Sequence, residues 1–156
     1  MSEAFFYHMT ETPLEVTLPI LLSKARGAGW EVVVRALSED RLRWLDERLW
    51  LDPVDGFLPH GIAGGPHDAD QPILLTTQSQ IAGCLVSVDG AAVQADEVAA
   101  TQRTMVLFDG NHEGAVEAAR NQWRSLTSAG IKAKYWSQET GRWELKAESG
   151  ALNGSE

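Results

Sequence analysis

The sequence predicts a single α/β domain whose mostly parallel sheet carries helices on both faces. Three observations support this. Short β-branched or apolar segments alternate with segments of helical period along the whole chain. Several of the short segments, Trp30-Glu31-Val32-Val33-Val34 among them, run apolar without alternation, as strands covered on both sides do. A chain of 156 residues suits one core and one domain. The expected domain spans residues 1–147, and residues 148–156 read as a frayed tail, with the fraying beginning after Lys146.

Ala4 to His8, rich in bulky aromatics, is the first strand. Thr12-Pro13-Leu14-Glu15 then has the form of a capping box with proline at the first helical position. Leu14, Leu18, Leu21, Leu22 and Ala25 recur on one helical face, and Pro19 within that run predicts a kink or a restart. Gly27 and Gly29 end the helix, and Trp30 to Ala36 is the second strand. Ser38 caps a second helix that begins with Glu39 and Asp40 and turns Leu42, Leu45 and Leu49 inward. From Asp52 to Pro72 the pattern dissolves into a long loop of Pro, Gly, His and Asp. Ile73 to Leu75, Cys84 to Val88 and Thr104 to Phe108 are further strands, with an Asp-Gly turn after the second. A brief helix fits Asp96 to Ala100, a longer one runs from Asn111 to about Ser128, and Ile131 to Trp136 is the last strand.

No apolar run reaches the ~18 residues of a membrane span, and the N-terminus lacks the basic start of a signal peptide. One cysteine, Cys84, forms no internal disulfide and excludes a cysteine-cluster zinc site, so a cytoplasmic protein with no membrane contact is expected. The net charge of −9 argues against direct binding of nucleic acid through its phosphates. That charge is uneven: residues 38–110 hold twelve acids and four bases, whereas residues 111–146 hold six bases and four acids. An acidic partner would therefore dock near the C-terminal part.

Motifs for catalysis are sparse. No phosphate-binding loop of the G-x-x-x-x-G-K-[ST] type occurs, and Gly61 to Gly65 neither follows a convincing strand nor opens a helix. No serine, threonine or cysteine lies in a nucleophile-elbow setting. His60, His67, Asp68 and Asp70 share one loop. They leave open a metal- or nucleotide-dependent enzyme as the alternative function, beside their reading as solvated loop residues. His8 and His112 have no acidic neighbour at a useful spacing and read as structural. No cofactor and no enzymatic activity are expected.

Two clusters suit protein binding. On the helix from Asn111, Val116, Ala119, Trp123 and Leu126 form an inward stripe, and Arg120 and Arg124 lie four residues apart along its edge. Two guanidiniums beside an indole suit a carboxylate and an apolar side chain, although the same arginines also suit pairing with Glu113 or Glu117. Trp50 and Phe57 remain after the leucine stripe of the second helix is filled; they fit either the core or an exposed anchor.

Leu45-Asp46-Glu47-Arg48-Leu49-Trp50, followed by Phe57-Leu58-Pro59-His60-Gly61-Ile62-Ala63-Gly64, resembles the DNA polymerase III chi subunit family, in which an L-D-x-x-L-W helix end leads into an F-x-P-H-x-x-A-G loop. Phe5-Tyr7, Trp30 to Val34, and Arg120 to Arg124 followed by Ala129-Gly130 extend the resemblance from about Ala4 to Lys146. It implies a non-catalytic adaptor of DNA replication that binds the psi subunit of the clamp loader and the acidic C-terminal tail of single-stranded DNA-binding protein. Nucleic acid is then met only indirectly. By resemblance, Arg120, Trp123 and Arg124 match tail-binding positions, and Val116 stands where the family often has a further basic residue. Trp50 and Phe57, with Leu49, match the psi-facing surface. Lys132, Lys134 and Arg142 are additional basic candidates, and nothing is carried across Asp68 to Ala100.

Overall fold

The computed structural model describes residues 2–51, 59–64 and 71–149. Its elements follow in the order β1 (Glu3–Met9), α1 (Leu14–Gly27), β2 (Val32–Arg35), α2 (Glu39–Leu51), β3 (Gly61–Ile62), β4 (Ile73–Thr76), β5 (Cys84–Val88), α3 (Ala95–Ala99), β6 (Arg103–Asp109), α4 (Glu113–Ser128), β7 (Lys132–Ser137) and β8 (Glu144–Ser149). One eight-stranded sheet results, in the order β3-β4-β2-β5-β6-β1-β7-β8. Every pairing is parallel except that of β7 with β8.

The apolar runs of the central strands explain why both faces are covered. In β2, all four residues are buried. Val32 and Val34 join the layer formed by α1 and α2, and Val33 joins the opposite layer, which receives α4 and Val98 of α3. The leucine stripe of α2 is as expected: Leu42, Leu45 and Leu49 are each at most 2% exposed. Ser38 caps α2 by accepting a hydrogen bond from the Arg41 N–H at 3.2 Å. Cys84 is a buried residue of the α1–α2 layer.

Four local expectations are corrected. No capping box forms at Thr12: Pro13 is the N-cap of α1, and the Thr12 hydroxyl instead meets Thr17 Oγ1 at 2.6 Å and the Gln138 carboxamide. Of the kink or restart expected at Pro19, the restart does not occur, because the residue lies buried inside one continuous helix. The long loop contains β3, too short to register as a pattern, which pairs with β4. An unpredicted strand, β8, runs through Lys146 to Ser149 where fraying was expected. It is held by antiparallel pairing with β7 around an irregularity at Tyr135 and Trp136.

Candidate functional site

β1 and β6 lie side by side and parallel, and their helices depart to opposite faces of the sheet, α1 to one and α4 to the other. Such divergence opens a crevice beyond the carboxyl ends of the strands. Here it is occupied by the first turns of α4, and a cleft lies on each side of them.

The first cleft, of about 900 Å³, is lined by the ends of β1 and β6, the start of α1 and the small residues Gly114, Ala115, Ala118 and Ala119 of α4. Glu11, Glu15, Asp89 and Asp109 make it acidic. Among the described residues its one arginine, Arg41, is already bonded to Asp89 at 2.5 Å. An anionic partner is repelled there.

The second cleft, of about 680 Å³, contains Val116 and Arg120 from α4, His8 from β1, and the Gly110-Asn111 turn. Val116 and Arg120 lie one turn apart, so α4 presents both to the same opening. Arg120 is exposed and forms no ion pair or hydrogen bond with any described residue. Glu113, Glu117 and Glu139 line the same opening. A negatively charged ligand is therefore favoured only where it sits directly on the guanidinium. His112 takes no part in this, because its Nδ1 caps α4 by accepting from the Ala115 N–H at 3.0 Å.

The remaining predicted residues are divided. Trp123 is half-buried and turned inward, its ring 5.3 Å from Phe6 and 5.9 Å from Tyr135. Arg124 is exposed and donates to Asn121 Oδ1 at 2.6 Å; neither it nor Trp123 lines the cleft. Lys134 falls on the opposite face of the sheet, beside Phe5 and 3.9 Å from Glu148, and strand alternation sends Lys132 the same way. Arg142 faces Glu144 at 3.9 Å. The C-terminal excess of basic residues is thus spread over both faces instead of forming one ledge.

Leu49 is 2% exposed and packs in the core, so its side chain offers no surface to a partner. Trp50 falls in the last turn of α2, with its side chain outside the described set. Phe57 lies outside the described residues, as do His67, Asp68 and Asp70. His60 is buried, with Nε2 3.2 Å from the Asp46 carbonyl oxygen and 3.1 Å from Asp46 Oδ1, so it ties its loop to α2. Among the described residues, no three His, Cys, Asp or Glu side chains are grouped to hold a metal, and no helix is long and apolar enough to cross a membrane.

Sequence reasoning missed His8 and Tyr135. His8 is 7% exposed, and its Nδ1 lies 2.7 Å from the Tyr135 hydroxyl. Burial raises the pKa of that hydroxyl above the usual phenol range, against the opposing pull of the Arg120 charge nearby. No local signal announces the pair, whose members are 127 residues apart.

A search of curated proteins found no match. The family described as DNA polymerase III chi subunit, HolC, matches residues 1–134, which carry β1 through α4 and the start of β7. That span includes both clefts' α4 walls and the α2 end with the loop that follows it, and on it the protein belongs to the DNA polymerase III chi subunit family.

Proposed function

We propose that this accessory subunit of DNA polymerase III is a non-catalytic adaptor joining the clamp loader, through the psi subunit, to the acidic C-terminal tail of single-stranded DNA-binding protein. The observation that carries the second half of this reading is the cleft shared by Val116 and Arg120, in which the guanidinium has no partner among the described residues. A tail ending in an aromatic residue with a free carboxylate would set its charge on Arg120 and its apolar part along Val116. The three carboxylates around the cleft hold affinity down and penalise an anion placed elsewhere. The psi-facing surface is assigned to Trp50 and Phe57 on the resemblance of their segment to the family pattern, and Leu49, buried in the core, is given a supporting role.

Function then follows from linkage. One face holds the loading machinery and another holds the protein that coats single-stranded template. Two modest contacts joined in one body act at raised effective concentration. The test is titration of a labelled acidic tail peptide against the protein and its Arg120→Ala variant. A loss of about 1–3 kcal/mol is expected for the charge-assisted hydrogen bond, with binding weakened by salt. Equal binding by both proteins removes Arg120 from the site. For the other face, Phe57→Ala is expected to abolish co-purification with psi, and undiminished recovery excludes that placement.

A further inference from the structure

We infer that His8, steadied by Tyr135 in the floor of the Arg120 cleft, is a second anchor for the partner's terminal carboxylate, its Nε2–H donating to one oxygen while Arg120 engages the other. This rests on the tail-binding reading above and adds to it a residue from a different element.

The position of His8 is unusual for a polar ring. On β1 it continues the inward row of Ala4 and Phe6, both fully buried, so a leucine or isoleucine would fill the place at no polar cost. The ring is instead held between aromatic walls, with its centroid 5.1 Å from that of Phe108 and 5.8 Å from that of Tyr135. Tyr135 satisfies Nδ1. Nε2 has no hydrogen-bond partner among the described residues, yet it is not sealed in the interior, because the ring lines the cleft that also contains Arg120. A ring nine-tenths buried thus presents one unused nitrogen to an opening.

Gly110 makes this possible. A Cβ at that position would fall 2.2 Å from Nε2 and 1.9 Å from Cδ2 of His8, so the imidazole edge occupies the space that any other residue would fill. The bare backbone of the β6–α4 turn lets the ring reach the cleft. When the Tyr135 O–H donates to Nδ1, the neutral ring carries its proton on Nε2, directed outward as a donor. The charged groups around that donor are Arg120, Glu113, Glu117 and Glu139, and none of the three carboxylates is hydrogen-bonded to it or to Arg120. Both positions are therefore free to take the two oxygens of one incoming carboxylate. Because the ring is already fixed by packing, little freedom is lost on binding.

The test uses the full chain and two fluorescent acidic peptides that end in phenylalanine, one with a free terminal carboxylate and one amidated, with binding followed by anisotropy. His8→Leu is expected to weaken the free-carboxylate peptide by about tenfold, as for one hydrogen bond to a charged group, and to leave the amidated peptide unchanged. Tyr135→Phe, which keeps the packing and removes only the hydroxyl, is expected to give a smaller loss of the same kind. It should also shift the imidazole ¹⁵N resonances that report which nitrogen carries the proton. Should His8→Leu fail to fold, Gly110→Ala, which displaces the ring, supplies the comparison with the same expected pattern. If Arg120→Ala weakens binding while His8→Leu and Tyr135→Phe leave it intact, the anchor is overturned and the tail-binding reading stands. If the unaltered protein binds neither peptide, both fall.

Discussion

Arg35 and Glu97 meet as a two-point ion pair between the end of β2 and α3, with Nη1 2.9 Å from Oε1 and Nη2 2.8 Å from Oε2. The guanidinium also donates to the carbonyl oxygens of Gln78, Gln80 and Ala92, so the β4–β5 and β5–α3 loops converge on one buried side chain. Hydrogen bonding from Arg35 holds the Glu97 carboxyl below the usual carboxylate range. Removing the partner leaves a buried positive charge, and Glu97→Gln is expected to cost about 3 kcal/mol in urea denaturation at neutral pH. A carboxyl whose folded pKa is depressed stabilises above its ordinary value, and that stability is lost as pH falls through the folded one. The gap between the two proteins should therefore narrow below about pH 4. A gap that stays constant on acidification would show that the carboxylate's charge is not what stabilises.

At the other end of the pH scale, the buried Cys84 and the half-buried Tyr7 work in the opposite sense. Burial pushes the Cys84 thiol up to about 12 from 9.0 and the Tyr7 phenol up to about 12 from 10.0, in both cases against the lowering effect of Arg103. Both groups stay neutral in the fold while they ionise in the unfolded chain, so stability is complete below the ordinary values and declines as pH rises through the folded ones. Denaturant midpoints are expected to fall between pH 9 and 12, and Cys84→Ala should reduce the size of that fall. In the native protein at pH 8 a thiol reagent should react only at the rate of unfolding. Rapid reaction under native conditions would contradict the burial of this thiol.

The loop that enters α1 depends on one carboxamide. Gln138 Oε1 lies within hydrogen-bond reach of the N–H groups of Thr10, Glu11 and Thr12, at 3.1, 3.1 and 3.3 Å, and its Nε2 donates to Thr12 Oγ1 at 3.0 Å. Gln138→Ala leaves those donors without their acceptor and is expected to destabilise by about 2 kcal/mol. It should also raise amide exchange at residues 10–12 specifically. Exchange unchanged at those three amides would show that the loop is held by other means.

Much of the architecture was legible because it is recorded locally. The unbroken valines of β2 declare a strand covered on both sides, and the alternation of strands with helical patterns declares the parallel order. β8 was not legible: half of its residues are charged, Leu145 is 43% exposed, and the strand exists only through its pairing with β7. The Thr12 cap failed for a related reason, since its competitor Gln138 lies 126 residues away. Of the candidate site, helical spacing set Val116 in the inward stripe and Arg120 beside Arg124, and only the family resemblance joined Val116 to Arg120. The inward turn of Trp123 was legible from the same spacing, whereas the exposure of a His8 nitrogen depends on Gly110, a contact made only when β1 settles beside β6.

Leu49 separates a supporting role from a contacting one. It is 2% exposed and lies in the layer formed with α1, whereas the family resemblance puts it at the psi-facing surface. Leu49→Ala is expected to cost about 2–5 kcal/mol because it deletes buried methyl groups and leaves a cavity. Loss of psi co-purification by that variant alone would therefore be ambiguous between unfolding and a lost contact. Leu49→Met conserves volume and should cost less than about 1.5 kcal/mol. If Leu49 only supports the end of α2, the methionine variant keeps both its thermal stability and its recovery of psi. If Leu49→Met loses psi while its thermal midpoint is unchanged, the residue reaches the partner directly, through a movement of α2 that the free chain does not show.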